Sequence, residues 1–266
     1  MRLQSLSIFL GLALASGAQA QDLRPLCPDR PGLGTPPCIV DKGHAIVEIG
    51  GVDETRSHDA TSRTDTIADG EVLVRYGLTD TLEAQLGYTA FGTARVRDRE
   101  TGDVDHQRGT GDMTVALRRN LANPDGSGFS IAAMGFATLP TGGQAIGAGD
   151  WSAGVLIPIS YALTDKLSLG LTPQISADVD DDRDGRHLAY GSVVGLAYQL
   201  TGKLDATAEI QATRDDDPED RTTQLLSSLS FAWQPSDRLQ LDAGAVAGLN
   251  RASPDVELYV GVSRRF

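Results

Sequence analysis

The chain has 266 residues and a formal net charge of −13, with 30 Gly, 5% aromatic and 40% hydrophobic residues. Such an acidic balance argues against nucleic acid, whose phosphates it would repel. Modest apolar and aromatic content leaves little with which to build a large dry core.

The first residues read as an export signal. Arg2 supplies a positive start, Leu6 to Ala15 form a short apolar run, and Ala18-Gln19-Ala20 matches a small-residue cleavage pattern. Residues 1–20 are therefore expected to be a signal peptide, with Gln21 opening the mature chain. The apolar run is shorter than the roughly 17–25 residues of a membrane-spanning helix, and no later stretch reaches that length. What remains is a soluble periplasmic domain or a barrel with its apolar atoms in lipid and its polar atoms inside.

Residues 21–43 form a Pro- and Gly-rich stretch expected on the periplasmic side ahead of the first strand. Cys27 and Cys38, with ten residues between them, would lie in an oxidising compartment. A disulfide is the reading, worth about 3 kcal/mol in the chain-entropy picture. A metal site is the poorer alternative, because no His or second Cys pair lies nearby. The loop they close carries Arg30 and can reach acidic residues at a barrel mouth; lying outside the barrel is its other option.

From residue 44 onward a two-residue rhythm dominates. Leu167, Leu169, Leu171, Pro173 and Ile175 alternate with Ser168, Gly170, Thr172, Gln174 and Ser176. Leu204, Ala206, Ala208, Ile210 and Ala212 alternate with Asp205, Thr207, Glu209, Gln211 and Thr213, and the segments from Leu239 and Val256 repeat the pattern. Successive strand side chains point to opposite faces, so each segment has one apolar and one polar face. Twelve such segments are expected, near 44–53, 68–78, 81–94, 109–121, 128–139, 150–162, 166–178, 188–200, 203–214, 221–234, 238–250 and 255–266. Most have the length that a tilted strand needs to cross a bilayer. The expected fold is all-β: a transmembrane up-and-down antiparallel β-barrel spanning 44–266, with the bacterial outer membrane as its place.

Connections alternate in length. Short turns fall at Leu78-Thr79-Asp80, Leu163-Thr164-Asp165, Leu200-Thr201-Gly202 and Pro235-Ser236-Asp237, with longer loops near 54–67, 95–108, 140–149, 179–187 and 215–220. Short turns mark the periplasmic end of such barrels. Tyr76, Tyr161, Tyr198 and Trp233 stand just before short turns, as an interfacial girdle requires, and Trp151 would join the outer girdle. No Lys or Arg falls mid-strand on the predicted lipid face. Arg119 and Arg264 face outward near strand ends, where their stems can snorkel.

Both chain ends carry a likeness. Cys27-Pro28-Asp29-Arg30-Pro31, Thr35-Pro36-Pro37-Cys38 and Lys42-Gly43-His44 open the mature chain. Leu241-Asp242-Ala243-Gly244, Gly248-Leu249-Asn250-Arg251, Pro254-Asp255 and Gly261-Val262-Ser263-Arg264-Arg265-Phe266 close it. Over 22–266 the chain resembles the outer-membrane family named for the meta-pathway of phenol degradation, whose members are labelled transporters. The resemblance implies a barrel that passes small solutes, apolar or aromatic ones if the name is informative. Phe266 resembles the end signature read by barrel-assembly machinery.

Projecting the alternation inward places Glu48, Glu71, Arg75, Glu83, Asp112, Arg118, Asp205, Glu209, Asp242, Glu257 and Arg265 in the lumen. Their charges would either select solutes in a wet path or neutralise one another and close it; Arg75, Arg118 and Arg265 are within reach of Glu71, Glu83 or Asp205. Asp180, Asp182 and Asp184, followed by Gly185, imitate the start of a calcium loop, but Gly191 stands where its closing Glu belongs. A solvated acidic loop is the plainer reading, as for Asp215-Asp216-Asp217. His44, His58, His106 and His187 lack any recognisable Ser or Asp partner arrangement, so no enzyme is expected, and no cofactor. The expected partners are membrane lipid, lipopolysaccharide through divalent cations at the acidic loops, and a small solute.

Overall fold

The computed structural model describes residues 23–58, 61–143 and 146–266. The expected signal peptide lies outside the described residues. No described residue is helical, and fourteen strands make one sheet: β1 (Ala45–His58), β2 (Ser62–Gly77), β3 (Leu82–Asp98), β4 (Val104–Gly109), β5 (Met113–Ala122), β6 (Phe129–Leu139), β7 (Ser152–Leu156), β8 (Ile159–Ala162), β9 (Leu167–Val179), β10 (Arg186–Thr201), β11 (Leu204–Asp215), β12 (Thr222–Ser236), β13 (Leu239–Gly248) and β14 (Val256–Arg265). β4 and β5 both pair with β3, and β7 and β8 both lie between β6 and β9, so each pair counts as one stave and the fold has twelve. Every neighbour is antiparallel, and β14 returns to β1 to close the cylinder. Pro158 separates β7 from β8; it has no N–H to give the ladder, although its carbonyl still accepts from Ala132 N at 2.9 Å.

Burial is inverted relative to a water-soluble domain. Ile210, Leu229 and Leu258 are 59%, 51% and 51% exposed, whereas Arg75, Glu83 and Arg118 are fully buried. An apolar exterior around a polar interior is the arrangement that a bilayer stabilises and water does not. The protein is a bacterial outer-membrane β-barrel. Leu229 lies midway along β12, pointing outward. Leu229→Arg is expected to destabilise the barrel in lipid vesicles by about 2–4 kcal/mol, read as a lower urea midpoint for the heat-modifiable band on gels.

Tyr76, Tyr161, Tyr198 and Trp233 are exposed on the outer surface near the short-turn ends of their strands. Trp151 is exposed at the opposite rim, where the Arg186 guanidinium lies 3.8 Å from its ring centroid.

Two predicted loops are corrected. Much of 54–67 is the paired continuation of β1 and β2, with Glu54 opposite Ile67 and His58 opposite Arg63. Likewise β3 runs to Asp98 and pairs with β4 across most of 95–108. Both faces of these extensions meet water, so no apolar row marks them. Besides the backbone ladder they are stitched by Asp65, which is 3.0 Å from Arg63, 3.7 Å from Arg95 and 3.8 Å from Arg56. The remaining long connections, at 140–151, 180–185 and 216–221, stand at the same rim.

Candidate functional site

The described part of the stretch ahead of β1 does not lie beneath the barrel; it threads into the lumen. Residues 23–41 contain no regular secondary structure, so their backbone groups need partners other than a ladder. The wall supplies them. Glu48 of β1 accepts from Asp29 N and Arg30 N, both at 2.9 Å, and Glu83 of β3 accepts from Val40 N at 2.8 Å. Glu209 of β11 accepts from Leu33 N at 2.7 Å, Gly34 N at 2.9 Å and Ser228 Oγ at 2.8 Å. From the donor side, Asn120 Nδ2 gives to Pro37 O and Gln240 Nε2 to Arg30 O, at 2.9 and 2.8 Å. The segment is a plug, and the inward carboxylates are its sockets.

At its base lies a buried ionic cluster. Arg75 of β2 holds Glu83 with two donors at 3.0 and 3.1 Å, meets Asp29 at 2.8 Å and Glu48 at 3.4 Å, and gives a further bond to Cys27 O at 2.8 Å. Arg118 of β5 grips both Asp29 oxygens and lies 3.4 Å from Glu83. Two guanidiniums thus face three carboxylates, and the surplus negative charge is offset by the backbone N–H groups of the plug. The cluster wraps the ends of the Cys27–Cys38 disulfide loop, since both arginines also donate to Cys38 O at 3.3 Å.

Higher in the lumen, Arg30 projects from the plug toward β13 and β14. Its Nε is 3.2 Å from Asp242, its Nη1 is 3.9 Å from Glu71, and its guanidinium carbon is 5.5 Å from the Tyr259 ring centroid. A Cβ at Gly261 would take the place of Arg30 Nε and make that side chain move aside. Gly77 is held more strictly, because a Cβ there would meet the backbone carbonyls of Val40 and Asp41. The wall is shaped to this segment.

The predicted inward charges fall into three groups. Glu48, Arg75, Glu83, Arg118, Glu209 and Asp242 engage the plug directly. Glu71, Glu257 and Asp205 are half-buried; Glu71 reaches the plug more loosely, at Arg30 and not at Arg75, Arg118 or Arg265, and Arg265 approaches Asp41 of the plug at 4.0 Å. Asp112 sits between β4 and β5 and caps the loop above, accepting from Gly142 N and Ala148 N, both at 2.7 Å. Asp29, Asn120, Thr172, Ser228 and Gln240 escaped the charge-based reading. The last four are uncharged but stand on the polar phase of the same alternation. Of the calcium-like run, Asp182 receives the Asp184 N–H at 2.8 Å in a local turn, while Asp180 turns to His187 at 2.9 Å, so the three do not converge.

The plug does not fill the lumen. A cavity of about 480 Å³ runs beside it from the turn at Asp165-Lys166 to Glu209, lined by residues between Pro25 and Cys38 on one side and by residues of β8 to β13 on the other. A smaller cavity of about 60 Å³ continues toward the opposite rim past Gln174, Ser176 and Gln211. Thr35, Thr172 and Val193 line both. There the plug and β9 touch, with Thr172 Oγ1 accepting from Thr35 N and donating to Thr35 O, each at 3.2 Å.

No curated protein matches the sequence. Among solved structures, the NanC porin aligns with a TM-score of 0.51 at 8% identity, covering 83% of this chain and 98% of the porin. The transport unit of the autotransporter AIDA-I from Escherichia coli aligns with a TM-score of 0.54, also at 8% identity, covering 84% of this chain and 90% of that unit. At such identity the likeness is one of fold. The sequence itself is more specific: residues 28–266 match the profile described as "Putative MetA-pathway of phenol degradation", and the chain belongs to that family.

Proposed function

We propose that this barrel is a passive channel for small solutes, narrowed by its own amino-terminal plug. The observation that carries the reading is the pair of cavities meeting at Thr35, Thr172 and Val193. The larger is within the range of small-molecule cavities, about 300–1,000 Å³. Its lining mixes Thr172, Thr207 and Glu209 with Val193, Ala197 and Ala232, so a solute with a polar edge and an apolar or aromatic body suits it. Flow runs down a gradient, because nothing in the plug resembles an energy-coupling device. No chemical step is assigned to the protein: it conducts and does not transform. Its acidic loops would meet lipopolysaccharide through divalent cations, and Phe266 would present the end of the chain to the assembly machinery.

A structural barrel with a closed lumen is the second reading, favoured by the burial of the Arg75–Arg118 cluster. Planar bilayers separate the two. The mature protein is expected to give small, discrete conductance steps; silence from protein that still shows a heat-modifiable folded band would refute the channel.

A further inference from the structure

At the rim opposite the ionic cluster, His187 and three carboxylates from two different hairpins converge. His187, at the start of β10, is 5% exposed in its side chain, and Asp217, in the loop between β11 and β12, is 4% exposed. His187 Nδ1 lies 2.9 Å from Asp180 Oδ1 and 3.3 Å from Asp217 Oδ2, and Nε2 lies 2.7 Å from Asp215 Oδ1 on the other side of the ring. Asp217 is held in place by its backbone surroundings: Oδ2 accepts from Asp181 N at 2.9 Å and Oδ1 from Glu219 N at 2.7 Å. These donors hold its carboxyl below the usual carboxylate range, so it stays ionised.

We infer that Asp180, His187 and Asp217 form a binding site for a divalent first-row transition metal, Zn²⁺ being its simplest probe. The ligand atoms of the three residues lie within 4.8 Å of one another. Four ligands around Zn²⁺ at about 2.0–2.2 Å stand roughly 3.3 Å apart, close to the spacings already present at Nδ1. One nitrogen with two carboxylate oxygens selects such an ion over Ca²⁺, which takes oxygen alone. Asp215 supplies the second half of the argument. With Nδ1 on the metal, Nε2 is left 2.7 Å from the Asp215 carboxylate but off the line of its N–H, so a small turn of the ring or carboxylate would give it the outer partner that metal-bound histidines usually have. A single imidazole facing three carboxylates leaves an excess of negative charge around two buried side chains, His187 and Asp217, which a dication offsets better than one proton does. The ion would staple the β9–β10 loop to the β11–β12 loop at the outer mouth, and the inference does not depend on solute passage.

The test uses untagged mature protein in detergent, stripped with EDTA and titrated with ZnCl₂ by calorimetry. One saturable site per chain is expected. His187→Gln and Asp217→Asn should each weaken it by about 100-fold or more, and Asp215→Asn by about 10–100-fold, whereas Asp182→Asn leaves it unchanged. The heat-modifiable gel band verifies that each variant is folded. In the wild-type protein, Zn²⁺ should also shift the His187 imidazole resonances and abolish their titration. Absence of a saturable site overturns the inference and leaves His187 as the cation of its own cluster. Binding that survives His187→Gln, displacement by equimolar Ca²⁺, or a His187 ring that still titrates at saturating Zn²⁺ overturns it equally.

Discussion

Arg75→Ala is expected to destabilise the plugged barrel by about 3–5 kcal/mol, the range for removing one partner from a buried ion cluster. Arg75 has no exposed side-chain surface, and neither do Glu48 and Glu83, which it contacts. Without it, Arg118 alone would face three carboxylates, two of them, Glu48 and Glu83, with no exposed surface. Arg75→Lys restores the charge but not the planar fork that meets both oxygens of Glu83; an intermediate loss is expected. The measurement is the urea midpoint of the folded band in vesicles. A midpoint for Arg75→Ala equal to that of the wild type would mean that the cluster is hydrated and the plug loosely held.

Deleting residues 23–40 is expected to leave a folded barrel whose single-channel conductance rises several-fold. The contrast with Arg75→Ala follows from charge balance. Removing the segment takes Asp29 away with it, so Arg75 and Arg118 are left with Glu48 and Glu83, two charges of each sign. Water then replaces the backbone groups that those side chains served, as in a wide polar lumen. A twelve-strand cylinder is broad enough to be wet once emptied. Unchanged current after the deletion would show that the segment does not limit flow and that the neck at Thr35, Thr172 and Val193 is not the constriction.

Much of this architecture is legible in the chain because a barrel's two faces alternate residue by residue. Ile210 and Glu209 are neighbours in sequence and point into opposite media, and that contrast repeats in stave after stave. The β1–β2 extension is illegible for the corresponding reason: Glu54, Arg56 and Thr66 meet water on both faces, so the rhythm disappears where the bilayer does. The plug is hidden for another reason. Glu48, Glu83 and Glu209 can be recognised as inward charges, but their partners are the N–H groups of Asp29, Arg30, Leu33, Gly34 and Val40, which every residue but Pro carries. Nothing in a side-chain pattern announces a backbone partner. The cluster at His187 is equally silent, because Asp180 and Asp217 belong to successive hairpins that the pairing of β10 with β11 brings side by side. The Asp180–Asp184 run, by contrast, suggests a local loop site that the chain does not form.

The Cys27–Cys38 bond ties the plug to itself and not to the wall, so non-covalent contacts and the single connection into β1 hold it in place. Those contacts straddle the line where the first and last strands meet. Glu48 and Arg75 lie on one side of it, and Asp242 and Gln240 on the other. The full complement of these bonds can form only after the carboxy-terminal strands have swung round to the amino-terminal ones. The same short stretch that lies in the lumen would therefore favour the zipped cylinder over an open, curling sheet, as an internal clasp.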